Sequence, residues 1–374
     1  MNSNTNHFFR KRFLKNKGAT VSLVLIVIAL FLGIFGYFIA PDNSPYANRM
    51  IPEIGSKQPG FSTLLLKEKK QTTANNNFFS VLLNGKTDNY IYTPIINYHF
   101  NNDSLIYEKY IDDGVSEKKS TSIIDKTIIP KGDITIEGIE KLFIEQNITK
   151  QTFYLGTDKF GRDILSRLII GTRVSLSVGL IAVIISLTIG IFLGAVAGYF
   201  KGKIDDLIMW FINVVWSIPA LLLVFAITLV LGKGFWQVFI AVGLTMWVNV
   251  ARLVRGQVMA TKELEYIEAA KVLGFSHSRI IVKHILPNIL GPIMVLAAAN
   301  FAGAIVIEAG LSFLGVGVQP PQPSWGLMIK ENYNFIITNN PMLALAPGMA
   351  IMLLVLAFNM LGNGLRDALN VKSM

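Results

Sequence analysis

The sequence predicts an all-α polytopic membrane protein with six transmembrane helices and a small α+β insertion. Hydrophobic residues make up 52% of its 374 positions, and charged residues only 16%. The apolar residues are gathered in six long runs, which exceed what the core of a soluble domain requires. The chain has no cysteine, which excludes disulfides, thiolate catalysis and cysteine-ligated metals.

The first predicted span covers residues 20–40 and carries no charge, whereas residues 1–19 are rich in lysine and arginine. A cleaved signal peptide is the alternative interpretation. The apolar run is too long for one, and bulky Phe38 would stand where cleavage after Ala40 requires a small side chain. We therefore expect an uncleaved anchor whose basic N-terminus, residues 1–19, lies in the cytoplasm.

Residues 41–153 are predicted to form an extracytoplasmic domain, because they are near neutral and follow the first span. We expect short strands at residues 90–92 and 105–107, a helix at 135–144, and loops at 75–77 and 112–119. Gly85-Lys86-Thr87 imitates the end of a phosphate-binding loop. Ser80 occupies the position of the upstream glycine that such a loop requires, so we expect no nucleotide site here.

Residues 154–173 are predicted to be an interfacial amphipathic segment at the outer membrane surface, in which a glycine-punctuated turn leads into a helix. The side chains expected to face lipid or protein are Ile164, Leu165 and Leu168, and those expected to face water are Arg162, Asp163 and Arg167. A plain interfacial helix without a special role is the alternative.

Residues 174–369 form the predicted core, with five further spans. They are placed at residues 174–200, 207–231, 236–254, 289–313 and 343–361, each near the ~20 residues that cross a bilayer. Six crossings from an inside N-terminus return the C-terminus to the cytoplasm and place the loop 255–288 there. The basic residues in and beside that loop agree with this topology. They are Arg252, Arg255, Lys262, Lys271, Arg279 and Lys283, and Arg366 and Lys372 follow the last span.

Three features of the core predict how its helices pack. Gly190, Gly194 and Gly198 recur every fourth residue, which predicts a close contact with another subunit or another helix of the bundle; glycines that face lipid without a partner are the alternative. Pro219 is expected to kink the third span, with either a gating or a purely structural role. Glu308 is an intramembrane carboxylate that would line a pathway, pair within the bundle or extend toward the interface.

The loop 255–288 contains a polar, charged stretch that is expected to form a short helix. Its distinctive residues are Glu265, Glu268, Ala269, Ala270 and Gly274, with Pro287 downstream. Small residues permit the close approach of a partner, and glycine ends a helix readily because it tolerates a positive φ. An ordinary amphipathic surface helix is the alternative.

Four segments together resemble the C subunit of the permease pair in dipeptide, oligopeptide and nickel ABC importers. They are residues 155–167, 265–288, 308–321 and 357–369. The resemblance covers residues 20–40 and about 154–369. The insertion is longer than the usual linker of that family, and Trp210 and Trp216-Ser217-Ile218-Pro219 depart from its pattern.

The resemblance implies a type I ABC importer permease fold in a bacterial cytoplasmic membrane. It implies three kinds of partner: a second homologous permease subunit, two cytoplasmic ABC ATPase subunits and an extracytoplasmic solute-binding protein. ATP and magnesium would bind to the ATPases, and this chain would bind no cofactor and catalyse no reaction. The residues at 265–274 and Pro287 would couple to the ATPases. Peptides are the implied cargo, and nickel or another small solute is the alternative.

Other function classes find less support in the residues. A membrane enzyme would need a catalytic constellation, and the four histidines (His7, His99, His277 and His284) have no ligand spacing. A secondary transporter would need repeats or broken helices and no tuned cytoplasmic loop. A purely structural anchor would not need such a loop either.

Overall fold

The computed structural model describes residues 12–70, 77–124, 126–127, 135–232, 234–337 and 340–369. Predictions that concern His7, Asn75 and Lys372 lie outside this set. The chain divides into two compact units, each treated separately below. The first comprises Met1–Phe31, Thr172–Lys330 and Gly348–Met374, and the second Leu32–Gly171 and Glu331–Pro347.

Helices dominate the described part of the chain. They are α1 (Lys17–Ile39), α2 (Phe78–Asn84), α3 (Ile136–Asn147), α4 (Ile164–Phe200), α5 (Gly202–Trp216), α6 (Ala220–Leu231), α7 (Phe235–Lys262), α8 (Glu265–Val272), α9 (Leu286–Leu314), α10 (Trp325–Asn332) and α11 (Met342–Leu369). Within the described residues, five helical segments are long and apolar enough to cross a membrane, and a sixth crossing results if the bent pair α5 and α6 counts as one span. The predicted fold class, a polytopic helical protein with a small sheet insertion, is confirmed.

The third predicted span, residues 207–231, is not one helix. It is divided between α5 and α6, whose axes differ by 90° at the break before Ala220. With 15 and 12 residues, these helices are only about 22 and 18 Å long, shorter than the ~30 Å of hydrocarbon. Pro219 stands at the break with extended backbone and disfavours helical conformation in the residue before it. The predicted kink is therefore a full right-angle turn.

The predicted interfacial helix within residues 154–173 is not a separate element. Helix α4 begins at Ile164 and continues for 37 residues without a break. Residues 154–163 form turns, closed by an isolated bridge between Thr157 and Asp163.

The insertion is an α+β domain built on an antiparallel sheet. Its strands are β1 (Phe61–Lys69), β2 (Tyr90–Asn101), β3 (Ser104–Asp112), β4 (Val115–Ser122) and β5 (Ile148–Phe153), in the order β4-β3-β2-β1-β5. Helix α3 packs on β1 and β5. Phe143 from that helix is buried in one apolar cluster with Leu66, Ile95 and Leu105 from three of the strands.

The loop predicted at residues 112–119 is wrong, because most of it is strand β4. A short turn with Gly114 at φ 80° reverses the chain after β3, as an Asp-Gly pair favours. Strand β4 is an edge strand and is exposed along most of its length. Polar residues on both faces are typical of such an edge, and they conceal the alternation that normally reveals a strand.

Gly85-Lys86-Thr87 follows helix α2 and precedes strand β2. A phosphate-binding loop has the opposite order, with a strand before the glycines and a helix after them. Gly85 instead ends α2, and its backbone adopts φ 86°.

Candidate functional site

Helix α8 lies in the loop between α7 and α9 and is anchored on one side. Ile267 and Ala270 are its buried residues. They join a cluster with Val254 and Val258 of α7 and with Ile280. Ala270 was predicted to approach a partner, but the structure places it inside the chain, where its small size lets α8 lie close to its neighbours.

The opposite side of α8 is exposed. We call this side the docking face. It consists of Glu265, Glu268, Ala269, Val272 and Leu273. Val272 is 88% exposed and Leu273 is 72% exposed, although both are large aliphatic side chains. Acidic and apolar groups thus project together from a helix whose other side is fixed, an arrangement suited to contact with another protein.

Gly274 ends α8 in a Schellman motif. The Phe275 amide donates to the Ala270 carbonyl at 3.2 Å, and the Gly274 amide donates to the Lys271 carbonyl at 3.0 Å. Gly274 has φ 76°, and a Cβ built on it would meet no atom within 4 Å. Glycine is therefore required here by backbone conformation and not by crowding within the chain.

The chain returns to the bundle through an irregular helical segment. A short helix, His277–Arg279, leads into a π-helical turn, Ile280–Ile285, before α9 begins at Leu286. Pro287 lies in the first turn of α9 and has no N–H with which to complete a regular bond to the preceding turn. Pro287 thus shapes the return of the chain and is not part of the docking face.

Ion pairs fasten the base of the loop to neighbouring helices. Lys201 Nζ lies 2.7 Å from Glu263 Oε1, and this hydrogen bond holds the pKa of Glu263 below its usual value. The Arg255 guanidinium donates to both Asp205 oxygens, at 2.5 and 2.6 Å. Sequence reasoning missed both pairs. The only indication of these pairs in the sequence is that residues of opposite charge lie at the ends of successive apolar runs.

Tyr199 in the last turn of α4 provides a further attachment. Its hydroxyl is hydrogen-bonded to His277 Nδ1 at 2.8 Å, and its carbonyl accepts from Lys262 Nζ at 2.6 Å. The segments on both sides of α8 are therefore tied to α4 as well as to α7.

The predicted glycine stripe lies against α7. A Cβ on Gly194 would stand 2.5 Å from the Ala251 carbonyl oxygen, and Cβ atoms on Gly190 and Gly198 would come comparably close to α7. The stripe thus brings two helices of the same chain together, which is the bundle alternative.

Glu308 is buried in the bundle, with 1% of its surface exposed. Its Oε1 accepts a hydrogen bond of 2.6 Å from the Ser312 hydroxyl, and that hydroxyl accepts from the Val318 amide at 3.0 Å. The carboxylate therefore supports the turn that follows α9 and does not reach lipid or the interface.

The charges around the start of α4 are buried, which contradicts the prediction that Arg162, Asp163 and Arg167 face water. Arg162 Nε lies 2.6 Å from Asp158, and its Nη2 lies 2.9 Å from Glu331. Arg167 lies 3.6 Å from the same Glu331 oxygen. An amphipathic pattern shows which side of a helix carries charge, but it does not show whether those charges face water or ion partners inside the protein. Glu331, missed at the sequence level, is the partner shared by both arginines.

Two family models match the chain. Residues 190–372 match the binding-protein-dependent transport system inner membrane component, and residues 7–58 match the N-terminal transmembrane domain of oligopeptide transport permease C. Neither match includes residues 59–189, which contain most of the inserted domain.

Curated relatives agree with the family models. A glutathione transport system permease protein of Pectobacterium atrosepticum is 42% identical over 219 residues, which cover 59% of this chain and 72% of the relative. A dipeptide transport system permease protein of Alkalihalophilus pseudofirmus is 45% identical over the same shares. A chain of the inward-facing MetNI methionine ABC transporter has a TM-score of 0.46 at 18% identity, covering 55% of this chain and 96% of that one.

One family assignment follows from the matched models. The level of identity and the covered share of the relatives support the same assignment. The chain belongs to the binding-protein-dependent transport permeases, as a C-type membrane subunit of the dipeptide and oligopeptide ABC importer family.

Proposed function

We propose that this chain forms half of the membrane pathway through which an ATP-driven importer takes up peptides delivered by a solute-binding protein. The named cargo of the relatives supports peptides, because it comprises dipeptides, oligopeptides and glutathione. The other half of the pathway would come from a second, homologous permease subunit.

In this proposal two ABC ATPase subunits bind ATP and magnesium and perform the hydrolysis, and this chain is their non-catalytic partner. The part that the proposal assigns to this chain is mechanical: it passes the movement of the ATPase subunits to the membrane helices.

The docking face of α8 is the observation that carries the proposal. Val272 and Leu273 project outward, while Ile267 on the other side is buried against α7 and the start of the return segment. A push on the docking face would be passed to α7 through this packing and to α4 through Tyr199 and Lys201. Closure of the ATPases would then bias the bundle between two arrangements, as in other rigid-body switches.

The proposed orientation has both termini and the docking face in the cytoplasm, in accord with the basic residues around them. This orientation requires that α5 and α6, despite the 90° bend between them, cross the membrane once as a pair. If α5 and α6 instead entered and left the membrane on the same side, α8 and the N-terminus would lie on opposite sides of the membrane.

Co-purification tests the proposal directly. The double variant Val272→Ser, Leu273→Ser removes the apolar part of the docking face, and Val115→Ser in the insertion is an exposed aliphatic control. We expect the double variant to insert normally but to lose most of the co-purified ATPase and most of the peptide uptake. Full retention of the ATPase by the double variant would contradict the assigned role of α8.

The cargo is tested separately from the coupling. Ligands that co-purify with the cognate solute-binding protein can be identified by mass spectrometry. The proposal predicts peptides. A metal complex or another small solute in their place would contradict the peptide assignment without affecting the assignment of the docking face.

A further inference from the structure

Helix α2 of the inserted domain is apolar, yet none of its residues is buried. Its sequence, Phe-Phe-Ser-Val-Leu-Leu-Asn, contains no charge. Phe78 is 60% exposed, Phe79 is 74% exposed and Leu83 is 62% exposed. The two phenylalanines alone leave on the order of 250 Å² of aromatic surface uncovered. The area alone is not unusual for a protein surface, so what the patch contacts depends on where this uncharged helix lies.

The position of α2 is defined by its contacts with the end of α1. The Phe78 ring stacks on the Phe38 ring, with centroids 5.4 Å apart and planes 26° apart. At the other end of α2, a Cβ on Gly85 would lie 2.8 Å from the Tyr37 ring. Both ends of α2 therefore lie beside the last turn of an apolar span that ends at Ile39.

The last turn of α1 lies at the end of an apolar span, and this indicates what surrounds α2. The side chain of Phe38 is itself half exposed, on a helix that is apolar and uncharged throughout the span. Large apolar groups on the outside of such a helix face lipid. A bilayer crossed by α1 would therefore place the stacked Phe78 at the boundary between hydrocarbon and headgroups, because Phe38 belongs to the last turn of that span.

Helix α2 contains no lysine, but lysines lie before and after it in the sequence. Lys69 and Lys70, at the end of β1, precede it, and Lys86 follows it. All three lysines are exposed. Lys86 directly follows the end of α2, and the Lys70 amide donates to the carbonyl of Asn89, three residues after Lys86. Lysines beside an apolar helix suit the membrane interface, where ammonium groups meet phosphates and the aromatic rings enter the acyl layer.

We propose that α2 is a lipid-binding anchor that lies in the membrane interface, with Phe78, Phe79 and Leu83 inserted among the acyl chains of the leaflet nearest Ile39. The occupant of the exposed patch is lipid, because the patch is continuous with the lipid-facing surface of α1 through Phe38. The anchor would hold the inserted domain at the membrane surface. It depends neither on the cargo nor on the ATPases.

The chain has no cysteine, so single spin labels can test this proposal in the full-length protein in lipid nanodiscs. Labels at Phe79→Cys and at Asn101→Cys are compared by their collision rates with oxygen, which concentrates in acyl chains, and with a water-soluble nickel chelate. Both positions are exposed in the chain. Asn101 ends the twelve-residue strand β2, roughly 36 Å along the strand from its start beside α2.

We expect the oxygen-to-nickel collision ratio to be at least three-fold higher at position 79 than at position 101. Equal ratios would overturn the proposal. So would a label at position 79 that is open to nickel in nanodiscs and becomes protected only when the solute-binding protein is added, because the patch would then be a protein-docking surface. If Phe79→Cys does not accumulate, Leu83→Cys carries the same expectation.

Discussion

Substitutions at Gly274 can distinguish two effects: strain in the backbone at the end of α8, and a clash of the new side chain with a partner protein. At φ 76°, an alanine would destabilise the Schellman ending by about 1–2 kcal/mol, the usual cost of left-handed backbone for a residue with a Cβ. This corresponds to roughly a 5–30-fold shift toward a frayed helix end. Asparagine tolerates this conformation better and should be the mildest substitution.

The difference between a small and a large side chain at position 274 then tests whether an ATPase subunit lies against this position. Apart from the adjoining residues, no atom of the chain lies within 4 Å of a Cβ at Gly274, so within the chain Gly274→Leu and Gly274→Ala have the same backbone cost. If an ATPase surface lies against this position, as we propose, leucine must be clearly more damaging than alanine. Gly256→Ala is the matched control. Gly256 also has open space around it, but it lies inside helix α7 and has no positive φ.

The assay is peptide uptake and ATP hydrolysis by the reconstituted importer, measured with the yield of the complex. We expect uptake to fall in the order glycine, asparagine, alanine, leucine. ATP hydrolysis should either persist without uptake or be lost together with the complex. Gly256→Ala should behave as the unmodified chain. Normal uptake by Gly274→Leu at unchanged complex yield would refute the placement of the coupling contact.

Three further predictions concern topology, packing and buried charge. Single cysteines at Ser116 and Ser276 should label oppositely with a membrane-impermeant reagent, with Ser116→Cys reactive from outside; the reverse pattern would contradict the topology. Gly194→Leu should prevent accumulation of the folded permease, because its Cβ would stand 2.5 Å from a carbonyl oxygen of α7, whereas Gly348→Leu meets no atom near its Cβ and should accumulate. Equal yields would show that α4 and α7 do not pack closely. Glu331→Gln should destabilise the fold by about 1–3 kcal/mol, because it removes the carboxylate shared by two buried arginines while Arg162 keeps its pair with Asp158. An unchanged unfolding temperature in detergent would show that this pairing is not formed.

Hydropathy predicted most of the helical scaffold. The predicted spans at residues 236–254, 289–313 and 343–361 lie within α7, α9 and α11, because uninterrupted apolar runs of that length form helices in a membrane. The break at Pro219 was located, but its angle was not predicted. The residues directly on either side of the break are largely apolar, so hydropathy alone does not reveal a right-angle turn.

Side-chain direction was harder to predict than helix position. The sequence predicts that both alanines of α8 belong to the coupling site, but Ala270 is buried and Ala269 is exposed. Adjacent residues on a helix are about 100° apart, so the buried side of a short helix depends on what packs beneath it. The partner of Arg162 was beyond sequence reasoning for a similar reason: Glu331 is 169 residues away along the chain.

The central claim is that the exposed side of α8 contacts an ATPase subunit, and photo-crosslinking tests it most directly. A photoreactive amino acid is introduced at Val272, which is 88% exposed, and at Val230 in α6, which is 87% exposed. The two positions share residue type and exposure and differ in the element that carries them. We predict a crosslink to the ATPase from position 272 and none from position 230. A crosslink to the ATPase from position 230 with none from position 272 would contradict the account.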